Sequence, residues 1–224
     1  MNLNKHREFF NPTQVTDEIH IIGCGAIGST IAEMLTRLGF EKLHLYDFDT
    51  VSPHNITNQM FREKDIGQLK TESLSNILKE INPDIVLELH SKGYDEFTRL
   101  SGIVILAVDS IELRKEIVQQ HKFNKSIRFM LDCRMELTSA QMYAAAWNDE
   151  RAVTNFYGTM DFTSEEAKAA TPVSACGTTL SVTPTVRTIV SFATANLINY
   201  LKDNNYKTMI ITDPFFNTVI CFPE

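Results

Sequence analysis

Three glycines punctuate the run Ile21-Ile22-Gly23-Cys24-Gly25-Ala26-Ile27-Gly28-Ser29, and five polar groups follow at intervals: Asp47, Asp49, Asn55, Gln59 and Lys70. Glycines placed after an apolar run and before a helical pattern let the backbone approach a phosphate closely, and the helix amides can then face it. Asp47 closes the next apolar run, Leu43 to Tyr46, where a carboxylate can accept hydrogen bonds from ribose hydroxyls. Up to Asp47 an NAD enzyme fits equally well. A second carboxylate at Asp49, the Asn55/Gln59 pair and a lysine at Lys70 behind Ile66-Gly67 have no task in hydride transfer. They suit the handling of a triphosphate, and so point to ATP.

The elements that must position these groups are legible from periodicity. Glu18 to Gly23 reads as a strand, and Ile27, Ile31, Leu35 and Leu38 recur at helical spacing until Gly39. Lys42 to Asp47 is a second strand, Lys70 to Ile81 a helix stopped by Asn82-Pro83, and Ile85 to Leu89 a third strand. Ile103 to Val108 is a continuous apolar run of the buried parallel kind, followed by Asp109 and a helix to about Gln120; Arg128 to Cys133 repeats the strand pattern. Such alternation implies right-handed crossovers and ligands beyond the carboxyl ends of the strands. Gly23–Gly28, Asp47, Asp109 and Cys133–Arg134 all fall at that edge.

Beyond residue 134 the pattern changes. Gln141 to Trp147 reads as a strand and Asn148 to Ser174 as polar and irregular; Thr183, as cap, and Pro184 open a long helix. Lys207 to Ile211 and Phe216 to Phe222 alternate like a hairpin around Asp213-Pro214. The expected fold is α/β: a Rossmann-like, doubly wound, mainly parallel sheet with helices on both faces and a C-terminal antiparallel extension. Residues 1–224 read as one domain, with the nucleotide half over 1–134 and a crossover loop, long helix and strands over 135–224.

A formal charge of −7 argues against a general nucleic-acid or anionic-membrane surface, so any bound anion must be held by a local site. No apolar run approaches the roughly 20 residues of a bilayer span, and Met1 to His6 lacks the apolar core of a signal peptide, which places the protein in the cytoplasm. Cys24, Cys133, Cys176 and Cys221 form no C-x-x-C pair, so reduced thiols are expected, with neither a disulfide framework nor structural zinc. His6, His20, His44, His54, His90 and His121 are scattered singly and suggest no metal cluster. Trp147 and Phe215-Phe216 read as core or interface packing.

The combination of GCGAIGS at 23–29, DFDTVSPHNITNQ at 47–59, DIGQLK at 65–70 and VDSIELR at 108–114 resembles the ThiF/MoeB/E1 superfamily of adenylating enzymes. The resemblance covers roughly the first half of the chain, with a weaker echo from Cys176 through Pro184. It implies that a C-terminal carboxylate of a small ubiquitin-like or sulfur-carrier protein, or of a peptide, attacks the α-phosphate of ATP. It also implies Mg²⁺, a homodimer and a partner with a flexible C-terminal tail. By match to the family's positions, Gly23, Gly25, Ala26, Gly28, Asp47 and Asp49 line the nucleotide, Asn55, Gln59 and Lys70 order the phosphates, and Asp109 binds the metal.

Four residues keep two readings. Asp109 can also be a helix N-cap; Arg114 can join the nucleotide site or pair on a solvated helix face. Arg134 can grip a phosphate or the substrate's carboxylate, or form a surface salt bridge, and Cys176 can accept the activated group or be a buried structural thiol. The chain departs from the usual N-x-x-R-Q at Asn58, where the arginine is missing, leaving Arg62, Arg134 or Arg7 of the partner subunit to substitute. That departure motivates a second hypothesis, an ATP-binding scaffold without catalysis; an NAD-dependent oxidoreductase is the third.

Overall fold

A computed structural model describes residues 1–170, 172–174 and 179–222. Along the chain run β1 (Ile19–Ile22), α1 (Ala26–Leu38), β2 (Lys42–Tyr46), α2 (Lys70–Ile81), β3 (Val86–His90), β4 (Gly102–Leu106) and α3 (Ile111–His121). They are followed by β5 (Ile127–Met135), β6 (Ala140–Ala146), α4 (Glu150–Gly158), α5 (Ser164–Ala170), α6 (Thr183–Asp203), β7 (Met209–Asp213) and β8 (Thr218–Phe222). The strands form one sheet in the order β3-β2-β1-β4-β5-β6-β7-β8. β1 to β5 pair in parallel, and β6, β7 and β8 add antiparallel strands at one side.

β1 and β4 are buried along their whole length, which is why they read as unbroken apolar runs. On one face, Ile19, Ile21, Leu43, Leu45 and Ile105 pack against Ile31 and Leu35 of α1, Leu74 and Leu78 of α2, and Val186, Ile189 and Leu197 of α6. On the other, Ile22, Tyr46, Val104 and Leu106 meet Ile117 and Val118 of α3 and Val153 and Phe156 of α4. The sheet is therefore wound on both faces, as expected. α1 stops at Gly39, whose φ of 91° lets its amide bond back to the carbonyls of Leu35 and Thr36.

Two expectations need correction. The stretch from Asn148 to Ser174 is not irregular but carries α4 and α5. Asp149 caps α4 by accepting from the amides of Arg151 and Ala152, yet the helix buries only Val153 and Phe156, too few to show a period. Thr183 does not cap α6: Val182 holds that position, and the Thr183 hydroxyl donates to the Thr57 carbonyl at 2.7 Å. Of the aromatic residues read as core or interface, Trp147 is buried in the core, while Phe215 and Phe216 are 53% and 78% exposed on the edge hairpin, which fits the interface and not the core reading. Among the described residues no helix is long and apolar enough to cross a membrane.

Candidate functional site

The parallel register sets Ile22 beside both Tyr46 and Leu106, so β2, β1 and β4 end side by side. Gly23, Asp47 and the segment from Ala107 to Asp109 therefore emerge at one edge, where the order of connections reverses. The glycines divide into two kinds. Gly23 has φ +97° and a Cβ there would lie 2.6 Å from the Ala107 carbonyl oxygen, while a Cβ on Gly28 would lie 1.8 Å from the Gly23 carbonyl oxygen. Gly23 is required by its close approach to the backbone that follows β4, and Gly28 by the closure of the turn onto the Gly23 carbonyl. A Cβ on Gly25 would meet nothing within 4 Å, so this residue faces open space. Gly25 is also the N-cap of α1 and offers no side chain, leaving the first-turn amides available to an anion.

Asp47 ties the turn to the loop that follows β2. Its Oδ2 accepts from the Cys24 amide at 2.7 Å and its Oδ1 from the Asp49 amide at 2.8 Å. Each oxygen retains a lone pair for a ribose hydroxyl. Burial pushes the Asp47 carboxyl above its ordinary pKa, against the opposing pull of the Lys70 charge. Lys70 opens α2, is 7% exposed, and sets its Nζ 2.7 Å from Asp49 Oδ2. Asn55 is buried in the turn at Pro53–Thr57, its Oδ1 accepting from the Ser52 amide at 2.9 Å. Gln59 Oε1 is buried and accepts no hydrogen bond from the described residues. An acceptor so placed lacks a donor that a ribose hydroxyl or a metal-bound water would supply.

Asp109 is exposed, and its carboxylate makes no hydrogen bond or ion pair with the described residues. It is not the cap of α3, because Ser110 Oγ fills that role by accepting from the Leu113 amide at 3.1 Å. A free carboxylate at this edge fits a hard cation such as Mg²⁺. Arg114 lies on no solvated face: it is 4% exposed, paired with Asp132, and donates to the carbonyls of Val108 and Cys133. Arg134 is not a surface salt bridge either. It reaches Asp132 Oδ2 with Nε at 2.8 Å and Nη2 at 2.5 Å, donates to the Thr159 carbonyl at 2.6 Å, and lies over the Tyr143 ring. Both arginines thus brace the edge from beneath. Arg62 pairs with Glu80 at 2.7 Å.

Asn58, where the family resemblance leads one to expect arginine, donates through Nδ2 to Ser181 Oγ. A residue that the sequence reading passed over lies close by. Arg187 of α6 sets Nη1 3.2 Å from Thr30 Oγ1 and 3.1 Å from Met60 Sδ, and has no carboxylate in ion-pair range among the described residues. Its signal was available: in α6 it is the charged residue that interrupts an otherwise uncharged stretch from Thr183 to Leu201. Cys24 and Cys133 are buried, and burial pushes the Cys24 thiol up and that of Cys133 up to about 12, so both are inert packing groups. Cys176 lies outside the described residues; Val173 and Thr179 pair in an antiparallel bridge on either side of it. The histidines are not all scattered: His20, His44 and His90 share one sheet face, with ring centroids 4.3 Å apart for His20 and His44 and 5.7 Å for His44 and His90.

The chain matches the ThiF family over residues 15–221. It is 40% identical over 103 residues to ubiquitin-like modifier-activating enzyme 5 of Arabidopsis thaliana, covering 43% of this chain and 22% of that protein. The Rattus norvegicus protein of that name is 40% identical over 119 residues, covering 46% of this chain and 30% of that one. The chain therefore spans less than a third of the length of these curated relatives. Among solved structures, E. coli MccB with ATP superposes with a TM-score of 0.70 at 15% identity, covering 93% of this chain and 64% of that one. PaaA superposes with a TM-score of 0.71 at 15% identity, covering 99% and 68%. At these identities the structures establish the shared fold.

Proposed function

Since this chain belongs to the ThiF family, we propose that it uses ATP and Mg²⁺ to activate the C-terminal carboxylate of a small ubiquitin-like or sulfur-carrier protein, or of a peptide, as an acyl-adenylate. The observation that carries this reading is the Lys70 ammonium held at the strand edge by Asp49, on the same edge as open Gly25 and unpaired Asp109.

In the proposed reaction a carboxylate oxygen of the partner's tail attacks the α-phosphorus. A new O–P bond forms, the bridging bond to the β-phosphate breaks, and pyrophosphate leaves with the electron pair. Asp47 holds the ribose, the α1 amides face the phosphates, and Lys70 neutralises charge as a compact point cation. Asp109 holds Mg²⁺, which supplies further charge neutralisation. Asn55 shapes the phosphate loop through its turn, and Gln59 offers its free acceptor to the nucleotide. Arg187 stands in for the cation absent at Asn58. Positioning and electrostatics suffice for such a displacement, which needs no proton-transfer group at phosphorus. The homodimer and the passage of the acyl group to Cys176 belong to the same proposal.

The test is ATP–pyrophosphate exchange with candidate small proteins ending in a flexible tail. Exchange that requires both Mg²⁺ and the tail is the expected result. The second reading, favoured by Asn58, is a scaffold: ATP would raise the melting temperature while labelled pyrophosphate never returned to ATP with any tail. Stabilisation by NAD rather than ATP would overturn both.

A further inference from the structure

Alternation along three neighbouring strands carries imidazoles and carboxylates onto one face of the sheet. His20 pairs with His44 across β1 and β2, and His44 with Glu88 across β2 and β3. Glu18, just before β1, completes the group at the strand ends opposite the nucleotide edge. We propose that Glu18, His20 and His44 form a binding site for a divalent transition-metal ion of the zinc class, separate from the nucleotide edge.

The geometry has three parts. Glu18 Oε2 lies 3.8 Å from His20 Nε2 and 3.8 Å from His44 Nε2, and the three ligand atoms fall within 4.8 Å of one another. Ligands bonded to zinc at about 2.0–2.2 Å in a tetrahedron stand roughly 3.4 Å apart, so small side-chain rotations close the set. His44 is 6% exposed and its Nε2 has no hydrogen-bond partner among the described residues, although it is aimed at the same carboxylate oxygen as His20. A buried imidazole nitrogen without a partner calls for a ligand.

The outer nitrogens are held as metal-binding histidines require. His20 Nδ1 is 2.9 Å from the Tyr46 hydroxyl, and His44 Nδ1 is 3.4 Å from Glu88 Oε2 and 3.5 Å from His90 Nε2. A hydrogen-bond partner behind the ring, the Tyr46 hydroxyl for His20 and His90 for His44, fixes the tautomer that turns the Nε2 lone pair toward the ion. The Ser101 amide also points at His20 Nε2 from 3.4 Å, a long contact that marks this nitrogen as the acceptor and that an ion would displace. Ser101 Oγ donates to Glu18 Oε2 at 2.9 Å, while Lys42 occupies the other carboxylate oxygen.

Burial holds His20 at about 3 and keeps His44 below its ordinary value, so both imidazoles are neutral at physiological pH. The hydrogen bond from Lys42 holds Glu18 at about 2, leaving it ionised. Two neutral imidazoles and a carboxylate are the donor set of zinc rather than of Ca²⁺ or Mg²⁺. Glu18 is only partly buried, which gives the ion a path in and a water the fourth position.

The test is a titration of the full chain, without nucleotide, with Zn²⁺ alone against a chromophoric chelator. Wild type should bind one equivalent, and Co²⁺ should give a tetrahedral visible spectrum. His20→Gln and His44→Gln should each weaken binding by at least about a hundredfold and abolish the spectrum. Cys221→Ser and His6→Gln, which remove the exposed thiol and an unrelated imidazole, should leave both unchanged. Should His44→Gln fail to fold, Glu18→Gln, on a partly exposed side chain, reads the same loss. Wild-type affinity equal to that of the variants, or a Co²⁺ spectrum that survives them, would overturn the proposal.

Discussion

Lys70 and Asp49 form an asymmetric ion pair: the lysine side chain is 9% exposed, the aspartate 52%, with Nζ and Oδ2 2.7 Å apart. The lysine is committed to the interior and the aspartate is free to swing away. An arriving triphosphate would replace one counter-charge by another at little desolvation cost. Lys70→Met should weaken ATP binding at least tenfold, about 1.4 kcal/mol. Asp49→Asn should instead tighten it a few-fold while lowering the melting temperature, because the buried ammonium then lacks a partner. Isothermal titration of the two variants checks this, and equal losses in both would show that the pair acts as a unit.

The glycines separate a packing role from a ligand role. Gly23→Ala and Gly28→Ala drive a Cβ into backbone at 2.6 and 1.8 Å, so each should lose several degrees of melting temperature or fail to fold. Gly25→Ala fills open space in front of α1 and should fold normally yet lose ATP affinity. A thermal-shift series with and without ATP distinguishes them; unchanged ATP affinity in Gly25→Ala would remove the phosphates from this turn.

Asp132 has no exposed side-chain surface and joins two arginines, Arg114 and Arg134, beneath the edge. Asp132→Asn leaves a buried guanidinium without its counter-charge and should cost about 3–5 kcal/mol. Joint replacement by apolar residues must include both partners: Asp132→Leu with Arg114→Met and Arg134→Met should recover much of that loss, whereas a double variant that keeps Arg134 should not. Urea unfolding reads both.

Much of this was readable before any coordinates. The strands and helices from Glu18 to Cys133 follow from periodicity, because parallel strands buried on both faces and amphipathic helices each have one pattern. Asp47, just past β2, and Asp109, just past β4, reach the strand-end edge because each follows a strand, whereas Lys70 reaches Asp49 from the start of α2. What escaped notice depends on register between distant segments. The inward turn of Arg114 depends on Asp132 in the following strand, and the meeting of His20, His44 and Glu88 depends on strand pairing that no single strand encodes. Short helices such as α4 bury too few side chains to announce themselves.

The thiols give a pH signature. The Cys133 thiol stands at about 12 against an unfolded value near 9.0, so between these limits the folded chain holds a proton that the unfolded chain releases. Stability from this group is complete below pH 9 and declines as pH rises toward 12. The decline is about 1.4 kcal/mol per pH unit. Cys133→Ala should show a correspondingly flatter fall between pH 9 and 10 in denaturant unfolding. In the native protein at neutral pH, alkylation should modify exposed Cys221 and spare Cys24 and Cys133.

Arg187 offers the sharpest check on catalysis. Its guanidinium lies against Thr30, which bonds back to the carbonyl of Ala26 at the start of α1, and against Met60 beside the Asn58–Gln59 loop. It thus carries a positive charge from α6 to Met60, next to the loop of Asn58 and Gln59. If that charge stabilises the transition state, Arg187→Met should lower kcat by about a hundredfold while ATP affinity changes little. Arg187→Lys should rescue only part, since the compact ammonium lacks the planar, delocalised charge and the fork of donors that a guanidinium presents. Adding Asn58→Arg to Arg187→Met should restore exchange by supplying the cation from the loop itself. A double variant as inactive as the single one, in a protein that still melts normally, would mean that α6 supplies packing to this edge and no charge.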